Sequence, residues 1–168
     1  MRLWFFPLLA SMVFAASCDG DNGMVGGDGH FDTLILSSSG GMPPPKRDGD
    51  ECGSGYTNLR TVTSSPAQIT WDLCTWPTDG TQHMVLSQGS RSLSPAELAT
   101  VQDSLLHVQV GKSGDCGFDK PVVTLDIEAK GTVGHYVDDF YGCNPPPAGR
   151  TFVTGIDWVE SAVGKLVP

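Results

Sequence analysis

The segment Val123–Thr132 reads VTLDIEAKGT, and it decides the predicted fold more clearly than any other stretch. Valine, leucine and isoleucine at positions 123, 125 and 127 alternate with threonine, aspartate and glutamate. This period of two is typical of a strand with one buried face. Lys130 and Gly131 then supply a turn, and Thr132–Tyr141 predicts the returning strand. The segment therefore predicts an antiparallel hairpin.

Similar but weaker patterns precede this hairpin. In the segment 67–76, apolar residues at positions 69, 71 and 73 alternate with polar ones, and turn-forming residues follow. Four earlier strands are predicted: Phe31–Ser38, Tyr56–Thr63, Ala67–Trp76 and Gln82–Ser87.

Two helices are predicted. Ser94, Pro95 and Glu97 form a capping box with proline at the first helical position. An apolar face follows, and Gly111 and Gly114 are expected to end this helix. Its face comprises Leu98, Val101, Leu105 and Val108. A last helix is predicted over about Asp157–Leu166, with Trp158, Ala162, Val163 and Leu166 directed inward.

The order of strands, helix, strands and helix predicts an α+β domain. We expect an antiparallel sheet of about four to six strands, with two helices packed on one face and disulfide bonds stapling the fold. This single domain is predicted to span residues 31–168.

The N-terminal residues indicate export. Arg2 is followed by the apolar run LWFFPLLASMVF and by small residues up to Ser17, which is typical of a signal peptide over residues 1–17. The run is shorter than the about 20 apolar residues that span a bilayer. Small residues directly before Cys18 resemble the signal of bacterial lipoproteins, although Ala15 stands where that family usually has leucine. The resemblance implies cleavage before Cys18 and a lipid on its sulfur; the alternative is ordinary secretion with a free Cys18.

Residues 18–30 contain little to bury, and their glycines and aspartates predict a flexible acidic tether. If lipid modifies Cys18, four cysteines remain, and they allow three disulfide connectivities. Cys52–Cys74 and Cys116–Cys143 are favoured because each pair closes a short loop, which stabilises by roughly 3 kcal/mol. A zinc site is disfavoured, because no two cysteines show the close spacing of zinc ligands.

Composition excludes some partners. The formal charge is −9, and it becomes −10 when residues 1–17 are removed with Arg2. An acidic chain without a basic stripe argues against nucleic acid and against electrostatic binding to anionic lipids.

No motif for catalysis, metal binding or a cofactor is recognisable. The sequence GKSG at Gly111–Gly114 lacks the earlier glycine of a phosphate loop. Neither HExxH nor GxSxG is present. His107 and His135 have no partner that the sequence reveals. No catalytic, metal or cofactor residue is therefore predicted, although a site assembled from remote residues remains an alternative.

Two long loops, residues 40–55 and 142–150, are the predicted contact surfaces, because ordered long loops often carry function. Neighbouring strand residues point to opposite faces, so Asp138 and Asp139 would converge on one atom only at a bulge; Asp138 or Asp139 is expected to be a solvated loop-edge residue. The candidate contact residues are Met42, Pro43, Pro44, Asp138, Asp139, Phe140 and Tyr141.

The Cys18 signal, the LSPAEL helix entry at Leu93–Leu98 and the closing hairpin with its helix resemble small bacterial envelope lipoproteins of unassigned function. More weakly, the SSGG stretch at Ser38–Gly41, LSPAEL and VVTLDI resemble the emfourin family of metalloprotease inhibitors. A subtilisin-inhibitor-like fold is a more distant comparison. These resemblances imply a periplasmic or otherwise extracytoplasmic protein, lipid-anchored to an inner or outer membrane. It is expected to bind an envelope or secreted protein without enzymatic activity; a protease inhibitor and an enzyme are the alternatives.

Overall fold

The structure is a computed structural model that describes residues 25, 27–40, 46–53, 55–76, 83–112, 120–141, 143 and 145–167. The strands are β1 (Thr33–Gly40), β2 (Asn58–Ser64), β3 (Ala67–Thr75), β4 (Val85–Ser92), β5 (Gln109–Val110), β6 (Pro121–Ala129), β7 (Thr132–Asp138) and β8 (Thr151–Thr154). The helices are α1 (Pro95–Leu105) and α2 (Ile156–Gly164), with a single 3-10 turn at Asp139–Tyr141.

The β6–β7 hairpin forms as predicted. Ala129 pairs with Thr132 across a two-residue turn. Lys130 and Gly131 both adopt positive φ, 52° and 76°, as the tight turn that matches the twist of two strands requires. The alternating apolar side chains of β6 are buried, so the hairpin places one face in the core.

Across the described residues, eight strands form one sheet in the order β4-β3-β2-β1-β6-β7-β8-β5. The α+β class and the two helices are confirmed. The sheet differs from the expected antiparallel sheet of four to six strands in two respects. It has eight strands, because β5 and β8 were not expected, and β7 pairs with β8 in parallel. Tyr136–Asp138 of β7 pair in register with Thr151–Val153 of β8, so both strands run in the same direction.

Helix α1 begins where the capping box predicts. The side chain of Ser94 accepts a hydrogen bond from the Glu97 amide, and the Glu97 carboxylate accepts one from the Ser94 amide. The helix ends at Leu105, before Gly111, because residues 109 and 110 leave it to pair with β8. The expected end at the two glycines is therefore wrong, although Val108 is buried as predicted.

Helix α2 begins after Gly155, which has a φ of 78°. A Cβ at this glycine would lie within 3.0 Å of the carbonyl oxygen of His107, so the close approach also favours glycine. Trp158 was expected to point inward but is 55% exposed. Ile156 and Val159 fill the inner side of this turn instead.

The core lies between the helices and one face of the sheet. Pairing registers place the buried residues of β1, β2, β3 and β6 on the same face, and buried residues of both helices join them in one cluster. Its fully buried members include Leu34, Leu36, Val62, Ile69, Val101, Leu105, Leu125, Ile156 and Val159.

The chain enters this domain earlier than residue 31. The amide of Val25 donates to the carbonyl of Val108 at 3.1 Å, and Val25 packs against the core cluster. Gly29 and His30 lie against α1: a Cβ at Gly29 would overlap the carbonyl of Gln102, and the Gln102 side chain is 3.4 Å from the His30 ring. The last part of the predicted tether therefore belongs to the folded domain. The predicted signal peptide and Cys18 lie outside the described residues.

Candidate functional site

A disulfide bond joins Cys52, in the connection between β1 and β2, to Cys74 near the end of β3. The two Cα atoms are 5.9 Å apart, and both cysteines are almost fully buried. This is one of the two favoured pairs. Cys143 is also disulfide-bonded, whereas Cys116, its predicted partner, lies outside the described residues. We call the connection, residues 46–53 and 55–57, the disulfide loop.

The carboxylate of Asp50 holds the disulfide loop from inside. Asp50 is buried; its Oδ2 accepts a hydrogen bond from the Arg47 amide at 2.7 Å, and its Oδ1 accepts one from the Met84 amide at 2.8 Å. The backbone hydrogen bond from Arg47, followed by that from Met84, lowers the pKa of Asp50. The carboxylate therefore ties the loop both to itself and to the residues before β4.

Further bonds attach the loop to the sheet. The Glu51 amide donates to the Met84 carbonyl at 2.9 Å, and Glu51 Oε2 accepts from the Leu86 amide at 2.7 Å. The Tyr56 hydroxyl donates to Asp72 on β3, and this hydrogen bond raises the pKa of Tyr56. With the disulfide, these contacts fix the loop before any partner binds.

The fixed loop and the residues beside it at the ends of β3 and β4 carry exposed side chains of the types that dominate protein interfaces. The Arg47 guanidinium lies 5.9 Å from the centre of the Trp76 ring, and Trp76 is 45% exposed. The His83 side chain is 51% exposed, and its Nδ1 is 3.5 Å from Asp50 Oδ1. Tryptophan and arginine are enriched among residues that contribute most to binding. We call Arg47, Trp76 and His83 the Trp76 surface.

The predicted contact residues are only partly brought to a surface. Met42, Pro43 and Pro44 lie outside the described residues. Phe140 lies under the Lys120 ammonium, which is 3.9 Å from the centre of its ring, and Tyr141 ends the 3-10 turn.

Asp139 is buried, so its predicted position as a solvated loop-edge residue is wrong. The 3-10 turn at the end of β7 breaks the alternation of the strand. It brings the two neighbouring carboxyl groups together: burial raises the pKa of Asp138, and a hydrogen bond with the Asp139 side chain adds to this. The pair is thus held within the fold.

His135 has a partner that sequence did not reveal. Its Nδ1 lies 2.9 Å from Asp126 Oδ1, and Arg150 donates to both oxygens of the same carboxylate at 2.8 and 3.2 Å. Burial favours a raised pKa for Asp126, but the hydrogen bonds from Arg150 and His135 outweigh it and lower the pKa.

This cluster lies on the sheet face opposite the core, since Asp126 alternates with the buried residues of β6. Within the described part of the chain, the hydrogen-bond partner of the His135 ring is Asp126. No group of three or more potential ligands is placed to hold a metal ion there or elsewhere in that part.

His107 also has a partner, Trp158, on which its ring stacks. The two rings line a groove of about 260 Å³ between α1 and α2, with Asp103, Ser161 and Lys165.

Every helix in the described ranges is too short or too polar to span a bilayer.

Comparisons of the chain with protein-family models, with curated proteins and with solved structures gave no match. The fold and the loop therefore define an α+β domain with a disulfide-held surface loop.

Proposed function

We propose that the chain is a lipid-anchored protein of a bacterial envelope and that it binds another protein through the Trp76 surface, without catalysing a reaction. The observation that carries this proposal is the exposure of Trp76 and Arg47 beside a loop that a disulfide and the buried Asp50 carboxylate hold fixed. The lipid anchor is supported by the residues around Cys18. The disulfide fits an oxidising compartment outside the cytoplasm.

The fixed loop matters because a single exposed apolar side chain is common and indicates little. Binding normally costs entropy when loops become ordered, and a loop that is already ordered avoids that cost. The four bonds of Asp50 and Glu51 to backbone groups order this loop in the free protein. An exposed tryptophan beside such a loop is suited to be a binding anchor.

Charge favours a basic partner. The chain without residues 1–17 has a formal charge of −10, whereas in the disulfide loop the exposed Lys46 and Arg47 balance the exposed Asp48 and Glu51, so the preference comes from the overall field. Such a field speeds the approach of a positively charged protein and disfavours acidic ones. We therefore expect binding to weaken as ionic strength rises.

The binding proposal is tested by placing a photo-crosslinking amino acid at Asp48 in cells. The matched position is Val133, which is 51% exposed but lies on β7, away from the loop. We expect position 48 to capture one discrete protein and position 133 to capture none. The same products from both positions would contradict the proposal.

The anchor is tested separately with Cys18→Ala. We expect the mature mass to lose the lipid and the protein to leave the membrane fraction. An unchanged mass and unchanged membrane association would contradict lipidation at Cys18.

A protease inhibitor would be one form of this binding protein, and one observation favours it. Lys46, Arg47 and Asp48 are exposed in succession, while the Arg47 amide is held by Asp50. A rigid exposed loop is suited to occupy a protease active site. Inhibition of a protease that is lost in Arg47→Ala and kept in Val133→Ala would support this form; unaffected proteases across serine and metalloprotease classes would contradict it.

A further inference from the structure

We propose that the edge of the domain formed by β5 lies against the lipid surface. This inference rests on the lipid anchor at Cys18 in the proposed function. The contact consists of Leu106, Val110 and Trp158, which we call the β5-edge patch. It assigns the domain one orientation on the membrane.

The N-terminal segment enters the domain beside β5. The Val25 amide bonds to the carbonyl of Val108, and Val108 lies between Leu106 and Val110 in sequence. Gly29 follows the same path, since a Cβ there would lie 3.5 Å from Leu106 Cδ2. The lipid-bearing segment therefore reaches the domain at this edge.

The connection between Cys18 and Val25 is short. Cys18 precedes Val25 by seven residues, which span at most about 25 Å when fully extended. A domain of this size is roughly 35–40 Å across. The anchor is thus too short to let the domain turn its opposite edge, strand β4, toward the membrane.

The β5 edge of the domain exposes apolar side chains. Seven large apolar side chains are exposed among the described residues, and three of them belong to the β5-edge patch: Leu106 at 40%, Val110 at 50% and Trp158 at 55%. Helix α1 ends beside β5, and β8, which pairs with β5, leads directly into α2. Leu106 and Val110 each lie two residues from Val108, to which Val25 bonds, and Trp158 stacks on the neighbouring His107.

The residue types suit a lipid interface. Tryptophan concentrates at the level of lipid headgroups because its ring is apolar and its N–H is polar. Lys112 lies 5.5 Å from the Phe152 ring, and Lys165 lines the groove beside Trp158; long lysine side chains reach headgroups from an apolar surface. Asp103 lines the same groove and Asp157 precedes Trp158, so apolar burial rather than net charge supplies the attraction.

The orientation has a consequence for the Trp76 surface. The disulfide loop contacts the ends of β3 and β4, and β4 is the edge opposite β5 in the sheet. With β5 at the lipid, the Trp76 surface faces away from the membrane and is accessible to an envelope partner.

The test compares Val110→Cys with Val133→Cys, because both are strand valines with nearly equal exposure, 50% and 51%. The full lipidated protein is placed on phosphatidylcholine vesicles and labelled with a membrane-impermeant maleimide. The same variants carrying Cys18→Ala serve as soluble references. We expect Val110→Cys to react about tenfold more slowly on vesicles than in solution, and Val133→Cys to react equally in both.

Quenching by brominated lipid gives a second measurement without a new cysteine. Fluorescence of the lipidated wild type minus that of Trp158→Phe isolates the indole at position 158. We expect strong quenching of this difference signal; an unquenched signal would overturn the proposal.

Other occupants give different results. Equal labelling of Val110→Cys on vesicles and in solution would overturn the proposal. Protection in solution that grows with protein concentration would also overturn it, because it would indicate that a second copy of the chain covers the patch. Protection in cells but not on protein-free vesicles would also overturn it and indicate a protein partner. The mass of the Cys18 peptide is measured first and shows whether the lipid anchor is present. Crosslinking at Asp48 tests partner binding independently. Failure of the proposed function is thus distinguished from failure of the orientation on the membrane.

Discussion

The indole ring of Trp158 stacks on the imidazole ring of His107, with ring centres 4.3 Å apart and planes inclined by 20°. This contact joins the first turn of α2 to the residues that follow α1. It closes the groove between the helices at the end where β5 begins.

Trp158→Ala is predicted to cost stability mainly through this contact, because the indole is more than half exposed and loses little buried area. We expect a double-mutant cycle with His107→Ala to give a coupling of about 0.5–1.5 kcal/mol in urea unfolding, the range for aromatic pairs. Additive effects of the two changes would show that the stack contributes nothing.

Asp50→Asn is predicted to loosen the disulfide loop, because one of the two oxygens that accept from the Arg47 and Met84 amides becomes an NH2 group that cannot accept, and the other loses its charge. Hydrogen exchange of these two amides should accelerate roughly tenfold. Asp48→Asn, an exposed change in the same loop, is the control and should leave both rates unchanged. Equal rates in Asp50→Asn and wild type would refute the role of Asp50.

Glu97 is predicted to make stability sensitive to acid. Its carboxylate accepts hydrogen bonds from Arg91 Nη2 at 2.7 Å and from the Ser94 amide at 2.8 Å. The Arg91 bond and then the Ser94 bond lower the pKa of Glu97 from 4.5 to about 2.

Because the folded pKa of Glu97 is the lower one, its contribution is fully present above about pH 4.5 and is lost as pH falls through about 2. Thermal unfolding should show Glu97→Gln less stable than wild type at pH 7, with a difference that shrinks below pH 4.5. A difference that is constant with pH would contradict the shifted pKa.

Glu160 is predicted to have the opposite effect. Burial raises its pKa, and repulsion from Asp138 adds to this. Since the folded state holds this proton more tightly than the unfolded state, stability falls as pH rises from about 4.5 through the raised pKa. Glu160→Gln should therefore unfold at a higher temperature than wild type at pH 7, with the gain disappearing below pH 4.5.

The charge of Arg60 opposes the effect of burial on Glu160. This charge favours ionised Glu160, and the buried Nε of Arg60 has no hydrogen-bond partner in the described residues. A lower unfolding temperature for Glu160→Gln at pH 7 would show that attraction to Arg60 outweighs the cost of burial.

Local signals in the sequence predicted the parts of the fold that depend on neighbouring residues. The β6–β7 hairpin follows from alternation and a two-residue turn, and the start of α1 follows from its capping box. Strands β5 and β8 were missed because they have only two and four residues. Their pairing joins segments that are distant in the chain, and the parallel contact of β7 with β8 is set by tertiary packing.

The candidate site was only partly predictable. The loop between β1 and β2 was expected to be a contact surface, but the buried Asp50 that fixes it has no sequence signal. The exposure of Trp76 did have a sequence signal. Ile69, Trp71 and Leu73 stand at odd positions of β3 and point inward, so alternation directs the even position 76 to the other face. Trp158 was expected to point inward with Ala162, Val163 and Leu166, which are buried, but its ring stacks on His107 at the exposed side of the helix pair, a tertiary contact that the sequence does not reveal.

The most direct test of the central claim repeats the crosslinking at Asp48 with two variants. Trp76→Ala removes the proposed anchor, and Val133→Ala removes an exposed apolar side chain on β7 that belongs to neither proposed surface. We expect Trp76→Ala to reduce capture of the partner about 30-fold, as loss of a dominant interface residue does, and Val133→Ala to retain it. Undiminished capture by Trp76→Ala, or equal loss in both variants, would contradict binding through the Trp76 surface.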